Sequence, residues 1–206
     1  MDKRIPHIQF MMKRSAALPP IFPPALPAGY AYRLYQPGDA ANWSRIECLA
    51  GEFDHENDAR KYFEKEFLPH EAELKRRMVF VTDDSGRAIA TATAWLSREG
   101  EALIPRLHWV AAIPEKQGLG LGRAVTMKAL SLFPDVGPPG DIVLSTQTWS
   151  HRAVGLYLCL GFRVQRDGAG FEHACEVLRG VMQGDAYRMF CEVSADGQGY
   201  DESKKE

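Results

Sequence analysis

Apolar positions along the chain recur with a period that switches between two and about 3.6, and each switch marks an element. Ile5 to Met12 is apolar and is expected to add an edge strand. Tyr30 to Tyr35 alternates and reads as the first central strand. Pro37-Gly38-Asp39 turns the chain, with Asp39 placed to cap a helix from about Ala40 to Ala50, where Trp43, Ile46 and Leu49 fall at helical spacing. A second helix starts near Asn57, carries Tyr62, Phe63 and Phe67, and ends at Pro69. Glu71 to Arg76 fits a further short turn. Met78 to Thr82 and Ala88 to Trp95, joined at Asp83-Asp84-Ser85-Gly86, form a hairpin, and Leu103 to Ala112 is a long strand after the turn at Glu99-Gly100-Glu101.

From Gln117 the pattern becomes helical through Ala124, Val125, Met127, Leu130 and Leu132, until the breaker-rich loop from Pro134 to Gly140. Ile142 to Thr148 reads as a strand, Ser150 to Leu160 as a helix closed by Gly161, Phe162 to Gln165 as a strand and Phe171 to Met182 as a helix. Tyr187 to Val193 is expected to be a last strand, and the polar stretch from Ala195 to Glu206 to be disordered. The order β-α-α-β-β-β-α-β-α-β predicts an α/β fold: an antiparallel meander followed by a β-α-β-α unit, in a mixed sheet covered by helices. A ligand then belongs where the strand order splits, at the carboxyl ends of the strands. Residues 1–29 form an N-terminal proline-rich arm, because Leu18 to Pro27 holds five prolines that remove donors and impose an extended path. The arm either packs along the domain or is a mobile leader. Residues 30–193 are expected to be one domain and residues 194–206 a polar tail.

Composition narrows the class. A chain of 206 residues suits a compact domain with a core of ordinary size, and 45% hydrophobic with 25% charged residues is the balance of a soluble globular protein. The formal net charge of −2 offers no basic field for nucleic acid or an anionic membrane. Cys48, Cys159, Cys175 and Cys191 are scattered without a CxxC pair, which favours reduced thiols in a cytoplasmic setting over disulfides or a metal site. No apolar run is long enough to cross a bilayer, and prolines interrupt any signal-peptide core after Lys3 and Arg4.

The chemistry concentrates in Gln117-Gly118-Leu119-Gly120-Leu121-Gly122, between a strand and a helix. Glycines let backbone N–H groups approach a ligand, and the free N–H groups and positive dipole end of the following helix suit a pyrophosphate, with Arg123 adding a cation. The spacing fits neither the dinucleotide fingerprint nor a P-loop. Taken alone, the hexapeptide is also compatible with a tight turn that binds nothing.

A second segment, Thr146 to Phe162, combines a strand, a polar turn, a helix and a Gly-Phe exit. Together the two segments resemble the acetyl-CoA-dependent GNAT superfamily of N-acetyltransferases. The first matches its Gln/Arg-x-x-Gly-x-Gly/Ala signature, and Val110-Ala111-Ala112-Ile113-Pro114 looks like the family's lead-in. The second resembles its Asn-x-x-Ala-x-x-Leu-Tyr-x-x-x-Gly-Phe helix, with Ser150 where Asn is usual and Ala153 at the family's alanine. The likeness is specific over about residues 103–163.

The resemblance implies a mostly antiparallel sheet of six to seven strands, flanked by helices on both faces and splayed at an acetyl-CoA site. It implies that Val110 and Ala112 pair with the pantetheine arm and that the N–H groups of Leu119 through Gly122, with Arg123, hold the pyrophosphate. Gln117 braces the loop or touches a phosphate, Ser150 and Ala153 contact the co-substrate, and no metal takes part. Tyr157 resembles the family's general acid, since a phenol is protonated at neutral pH and can give its proton to a departing thiolate; the other reading is a tyrosine half-buried on an amphipathic helix.

His108 is the leading base for an amine acceptor. It lies four residues before Ala112, so the two share a face unless a bulge intervenes. A histidine bonded within the sheet is the other reading, and Glu52, Asp54 and His55 are further candidates. Glu52, Phe53 and Asp54 follow the first helix, a region that the resemblance implies lines the acceptor side, and carboxylates with an aromatic would attract a cationic amine there; a solvated acidic loop is the alternative. Trp43, Tyr62, Trp95 and Trp109 either line that pocket or fill the core. The acceptor is a small-molecule or peptide amine, and the protein a monomer or homodimer. With no cysteine in a nucleophile motif, transfer is expected to be direct. A non-catalytic acyl-CoA sensor of the same fold is the alternative function.

Overall fold

The computed structural model describes residues 1–166, 170–182 and 184–191. These residues group into two compact units, one made of Lys13–Ser145 with Met1, the other of Asp2–Met12 with the chain from Thr146 onward. Among the described residues seven strands pair in the order β2-β3-β4-β5-β6-β1-β7. They are β1 (Gln9–Arg14), β2 (Tyr30–Leu34), β3 (Met78–Asp83), β4 (Ala88–Glu99), β5 (Ala102–Ala112), β6 (Ile142–Gln147) and β7 (Arg163–Val164). The helices are α1 (Ala40–Ala50), α2 (Glu56–Glu66), α3 (Glu71–Arg77), α4 (Leu121–Leu130), α5 (Phe133–Val136), α6 (His151–Cys159), α7 (Phe171–Arg179) and α8 (Asp185–Cys191). None of them is long and apolar enough to cross a membrane.

In the larger unit β2, β3, β4 and β5 form the antiparallel meander and β6 joins β5 in parallel. The β3–β4 turn closes on Asp83, whose Oδ1 accepts hydrogen bonds from the Ser85 N–H and hydroxyl and from the Arg87 N–H. Ala88 through Ala94 are all buried, because β4 is central and covered on both faces. One cover is α4, where Gly122 approaches the Ala112 side chain: a Cβ at Gly122 would lie 3.9 Å from that of Ala112. The other is α1 with α2 and its C-cap Phe67: the Trp43 ring meets Trp109, and the Phe67 ring meets Trp95 and His108.

Asp39 stands at the N-cap of α1, yet its carboxylate does not bond the helix N–H groups. It accepts both Arg33 guanidinium N–H groups at 2.5 and 2.7 Å, the Gln36 N–H and the Asn42 amide. The proline-rich arm packs along this unit: Pro19 O accepts from Arg14, Pro24 O from the Tyr32 hydroxyl, and Asp141 from the Ala16 N–H.

In the smaller unit the N-terminal strand is not an edge. Ile8 O accepts from Thr148 N–H at 3.0 Å and Met11 O from Gln165 N–H at 2.9 Å, so β1 lies between the end of β6 and β7. Trp149 Nε1 fixes the lead-in by donating to Ile5 O at 2.7 Å. The expected last strand from Tyr187 is a helix, α8, as far as Cys191. A single ring explains the difference: Phe190 is 1% exposed, edge-on to Phe10 at 5.2 Å and stacked on Phe171 at 5.8 Å. One buried position per two turns suits a helix face rather than the alternation of a strand. Residues 192–193 of that expectation, and the polar tail at 194–206, lie outside the described residues.

Candidate functional site

The site is built around the second half of β5. On β4 a single residue, Ala92, separates Thr91 from Thr93; on β5 two residues separate their partners Ala111 and His108. The extra residue makes a bulge at Trp109 and Val110, and Trp109 takes a φ of 49°, the one positive value outside glycine among the described residues. Such backbone is uncommon for a bulky side chain and persists only where surrounding packing enforces it. The bulge exchanges the faces of β5. His108 lies with Thr93 on the α1–α2 side and Ala111 with Thr91, while Ala112 turns to α4. His108 and Ala112 therefore do not share a face. On the other side of β5 the ladder to β6 is a single pair, Arg106 with Val143. The backbone around Val110 and Ala112 is left outside that ladder, which is the splay.

Beyond Ile113 the chain enters the glycine loop. Gly118 and Gly120 adopt φ of 83° and 76°, and a Cβ at either would meet no atom within 4 Å. Leu119 is 49% exposed, and Gly120 is the N-cap of α4, whose first intrahelical bond runs from Ala124 N–H to Gly120 O at 2.9 Å. The N–H groups of Leu121, Gly122 and Arg123 precede that bond and point toward the helix start. Gln117 acts as a brace, its Nε2 donating to Ala112 O at 3.3 Å. The loop is thus an open, preformed N–H concavity with the exposed Arg123 beside it. A diphosphate fits such a donor set.

On the α1–α2 side His108 is half-buried between Phe67 and Trp109. Burial, reinforced by the Arg106 cation two residues earlier, pushes its pKa down to about 4, so its ring is neutral at pH 7. Unfolded, a histidine titrates near about 6.5. Between those pH values the unfolded chain holds a proton that folded His108 refuses, so stability is present above the unfolded value and is lost as pH falls toward 4. His108→Gln is expected to lose less stability than wild type in urea titrations between pH 6.5 and pH 4; parallel losses would show that His108 is not the source.

Of the acidic loop, Phe53 stacks on Trp109 with centroids 5.5 Å apart, while Glu52 and Asp54 are exposed. Trp43, Tyr62 and Trp109 join Phe53 in one cluster. Trp95 meets Phe67 at 5.2 Å. Trp43 is fully enclosed, whereas Phe53, Tyr62, Trp95 and Trp109 are half-buried. Glu47 was not singled out in the sequence, yet it is fully buried among these elements on α1. The signal was available: it follows Trp43 by four residues and Ile46 by one, on the apolar face of the helix.

In the smaller unit Tyr157 lies on α6, 6% exposed, its ring 6.0 Å from Phe162 and edge-on to it. Ser150 immediately precedes the helix, and its hydroxyl accepts from Gln147 at 3.3 Å. Ala153 is half-buried one turn before Tyr157.

A mixed sheet with a bulged strand, a gap in its ladder and an N–H concavity opening a helix defines a protein of the acetyltransferase fold. Residues 40–162 match the model of the acetyltransferase (GNAT) family, and the chain belongs to that family. No curated protein matches the sequence significantly. Among solved structures it is similar to a GCN5-related N-acetyltransferase from Sphaerobacter thermophilus, with a TM-score of 0.59 at 17% identity over 78% of this chain and 49% of that one. It is also similar to a tandem GNAT protein from the clavulanic acid biosynthesis pathway, with a TM-score of 0.54 at 16% identity over 78% and 51%. A putative GNAT acetyltransferase from Novosphingobium aromaticivorans gives 0.52 at 18% over 79% and 62%. At these identities the likeness is one of fold, and the chain spans 49% to 62% of the length of those chains.

Proposed function

We propose that the protein is an acetyl-CoA-dependent N-acetyltransferase that moves an acetyl group directly to the primary amine of a small molecule or peptide. The observation that carries this reading is the open N–H concavity at Gly118–Gly122, reached from a strand whose ladder to β6 stops at one pair. The N–H groups of Leu119 through Gly122 and the Arg123 cation would hold the pyrophosphate. Val110, Ala111 and Ala112 offer backbone to the pantetheine amides, although Ala112 O already accepts from Gln117. Ser150 and Ala153 are the contacts that the resemblance assigns to the second motif. The co-substrate supplies the acetyl group as an activated thioester; what remains for the chain is to place the amine and to manage two protons.

A phenol keeps its proton at neutral pH, and Tyr157 is the acid assigned to the leaving sulfur. The opposite proton comes from the acceptor, which must be a free amine to attack. His108 is the base assigned to that proton and is neutral at pH 7, although a pKa lowered to about 4 makes it a weaker acceptor than an ordinary histidine; Glu52 or Asp54 are the alternative bases. The aromatic cluster around Trp43 reaches the His108 side through Trp109, which touches both.

Two measurements test the reading. The melting temperature should rise with acetyl-CoA and with CoA but not with ATP, because a ligand that binds only the folded state stabilises it. Thiol release should then follow addition of an amine from a panel of alkylamines, arylalkylamines, polyamines, amino acids and peptides. Absence of a shift with either CoA species would refute the reading. A shift without thiol release across the panel would point to a binding module without turnover.

A further inference from the structure

The cysteines are scattered in the sequence, but folding brings two of them together. Cys175 on α7 and Cys191 at the end of α8 are 16 residues apart in the chain, and their Sγ atoms lie 3.9 Å apart. Sulfurs at that separation are close to van der Waals contact and need only a short approach to bond. The rings beside them set the register. Phe171 lies one helical turn before Cys175 and Phe190 immediately before Cys191, and the two rings stack at 5.8 Å. Phe190 is 1% exposed and also edge-on to Phe10 at 5.2 Å, so the contact that aligns the sulfurs belongs to the core of this unit. Arg166 adds a third hold: its guanidinium lies over the Phe171 ring at 4.9 Å and donates to Cys191 O. Both cysteines are thiols, half-buried and so open in part to a small reagent.

We infer that Cys175 and Cys191 form a reversible disulfide that ties α7 to α8 when the surrounding thiol pool is oxidised. This goes beyond the acetyltransferase reading and does not rest on it. In a compartment that keeps thiols reduced, such a pair is a redox-responsive crosslink rather than a permanent staple. The oxidant is a small-molecule disulfide. One protein thiol loses its proton and its sulfur attacks one sulfur of the reagent; the reagent's S–S bond breaks, and half of it leaves as a thiolate that takes up a proton. The second protein thiol then loses its proton, attacks the first cysteine's sulfur and expels the other half in the same way. Two protein thiols are oxidised to one disulfide, one reagent disulfide is reduced to two thiols, and no proton is gained or lost overall. Burial, with Cys191 beside it, raises the Cys175 thiol above its ordinary value. A sulfur of that kind leaves slowly when a reductant attacks Cys191, so the crosslink persists once made. Because α8 packs on α6, the helix of Tyr157, and on β7, the crosslink fixes what covers both.

The test uses the full chain and oxidised glutathione as the reagent, without denaturant. The remaining thiols are then alkylated in denaturant and the protein is digested. Mass spectrometry should find the Cys175 and Cys191 peptides joined, about 2 Da lighter than the sum of the two reduced peptides, and a non-reducing gel should show the crosslinked protein at the mass of one chain. The oxidised protein should melt about 3 °C or more above the same sample treated with dithiothreitol, because closing the loop between the two cysteines restricts the unfolded chain. Cys191→Ser should melt at the same temperature under both conditions. The inference is overturned if both cysteines are recovered alkylated or as separate glutathione adducts, if either is joined to a different cysteine, or if the joined protein melts no higher than the reduced one. The peptide map is read on the wild type and does not depend on how the variant folds. CoA binding and thiol release from acetyl-CoA are measured separately on the reduced protein, so the acetyltransferase reading stands or falls independently.

Discussion

Replacing Gly120 with valine is expected to weaken CoA binding at least a hundredfold in titration calorimetry while the protein still folds. Gly120 sits at φ 76° as the N-cap of α4. An L-residue in that left-handed region costs roughly 1–2 kcal/mol, and a β-branched one more, because the Cβ crowds the backbone. That strain is modest beside a domain stability of about 5–15 kcal/mol, and the new Cβ meets no atom within 4 Å. The harm falls on the ligand. The open space into which the side chain would grow is the concavity that the N–H groups of Leu121 and Gly122 face. A hundredfold loss corresponds to about 2.7 kcal/mol, a plausible magnitude for closing the approach to several charge-assisted hydrogen bonds. Circular dichroism should give a native spectrum with a lower melting temperature. A folded Gly120→Val protein that binds CoA as wild type does would remove the glycine loop from the site.

Tyr157→Phe is expected to lower kcat by about 10²–10³, the range a positioned general acid contributes, with CoA affinity within threefold of wild type. The substitution keeps the ring, which is 6% exposed and packs edge-on to Phe162 at 6.0 Å, and removes only the hydroxyl. A group that must be protonated to act gives an activity that falls as pH rises through its pKa. The variant should therefore also lack the alkaline limb of the kcat profile. If the hydroxyl serves packing alone, the variant will lose stability and keep both kcat and the alkaline limb, and Tyr157 will have no part in the chemistry.

The two variants probe features of different legibility. Gly118 and Gly120 were readable because a strand-to-helix turn with positive φ is a local demand that glycine alone meets cheaply. The aromatic cluster was partly readable: Trp43, Tyr62, Phe63 and Phe67 recur at helical spacing, but whether each ring lines a pocket or fills the core depends on what packs over it. In the event Trp43 is enclosed, while Tyr62 and Trp109 keep an edge in the open. Asp39 illustrates the limit at close range. Its position at the head of α1 was correct, yet its carboxylate is held by Arg33, because a bidentate charged pair outcompetes a backbone cap.

Periodicity, turn chemistry and the two glycine-bearing motifs were enough to place the strand-loop-helix cradle and the antiparallel meander, since each depends on interactions within a few residues. The remaining features depend on segments far apart in the chain. β1 became an interior strand because Ile8 and Met11 found partners at Thr148 and Gln165. The stretch from Tyr187 became helical because Phe190 found Phe10 and Phe171. His108 and Ala112 parted because a bulge at Trp109 shifted the register against β4. Glu47 acquired its character only when α1 was laid on the sheet, since a glutamate on a helix is ordinary until burial takes it out of water.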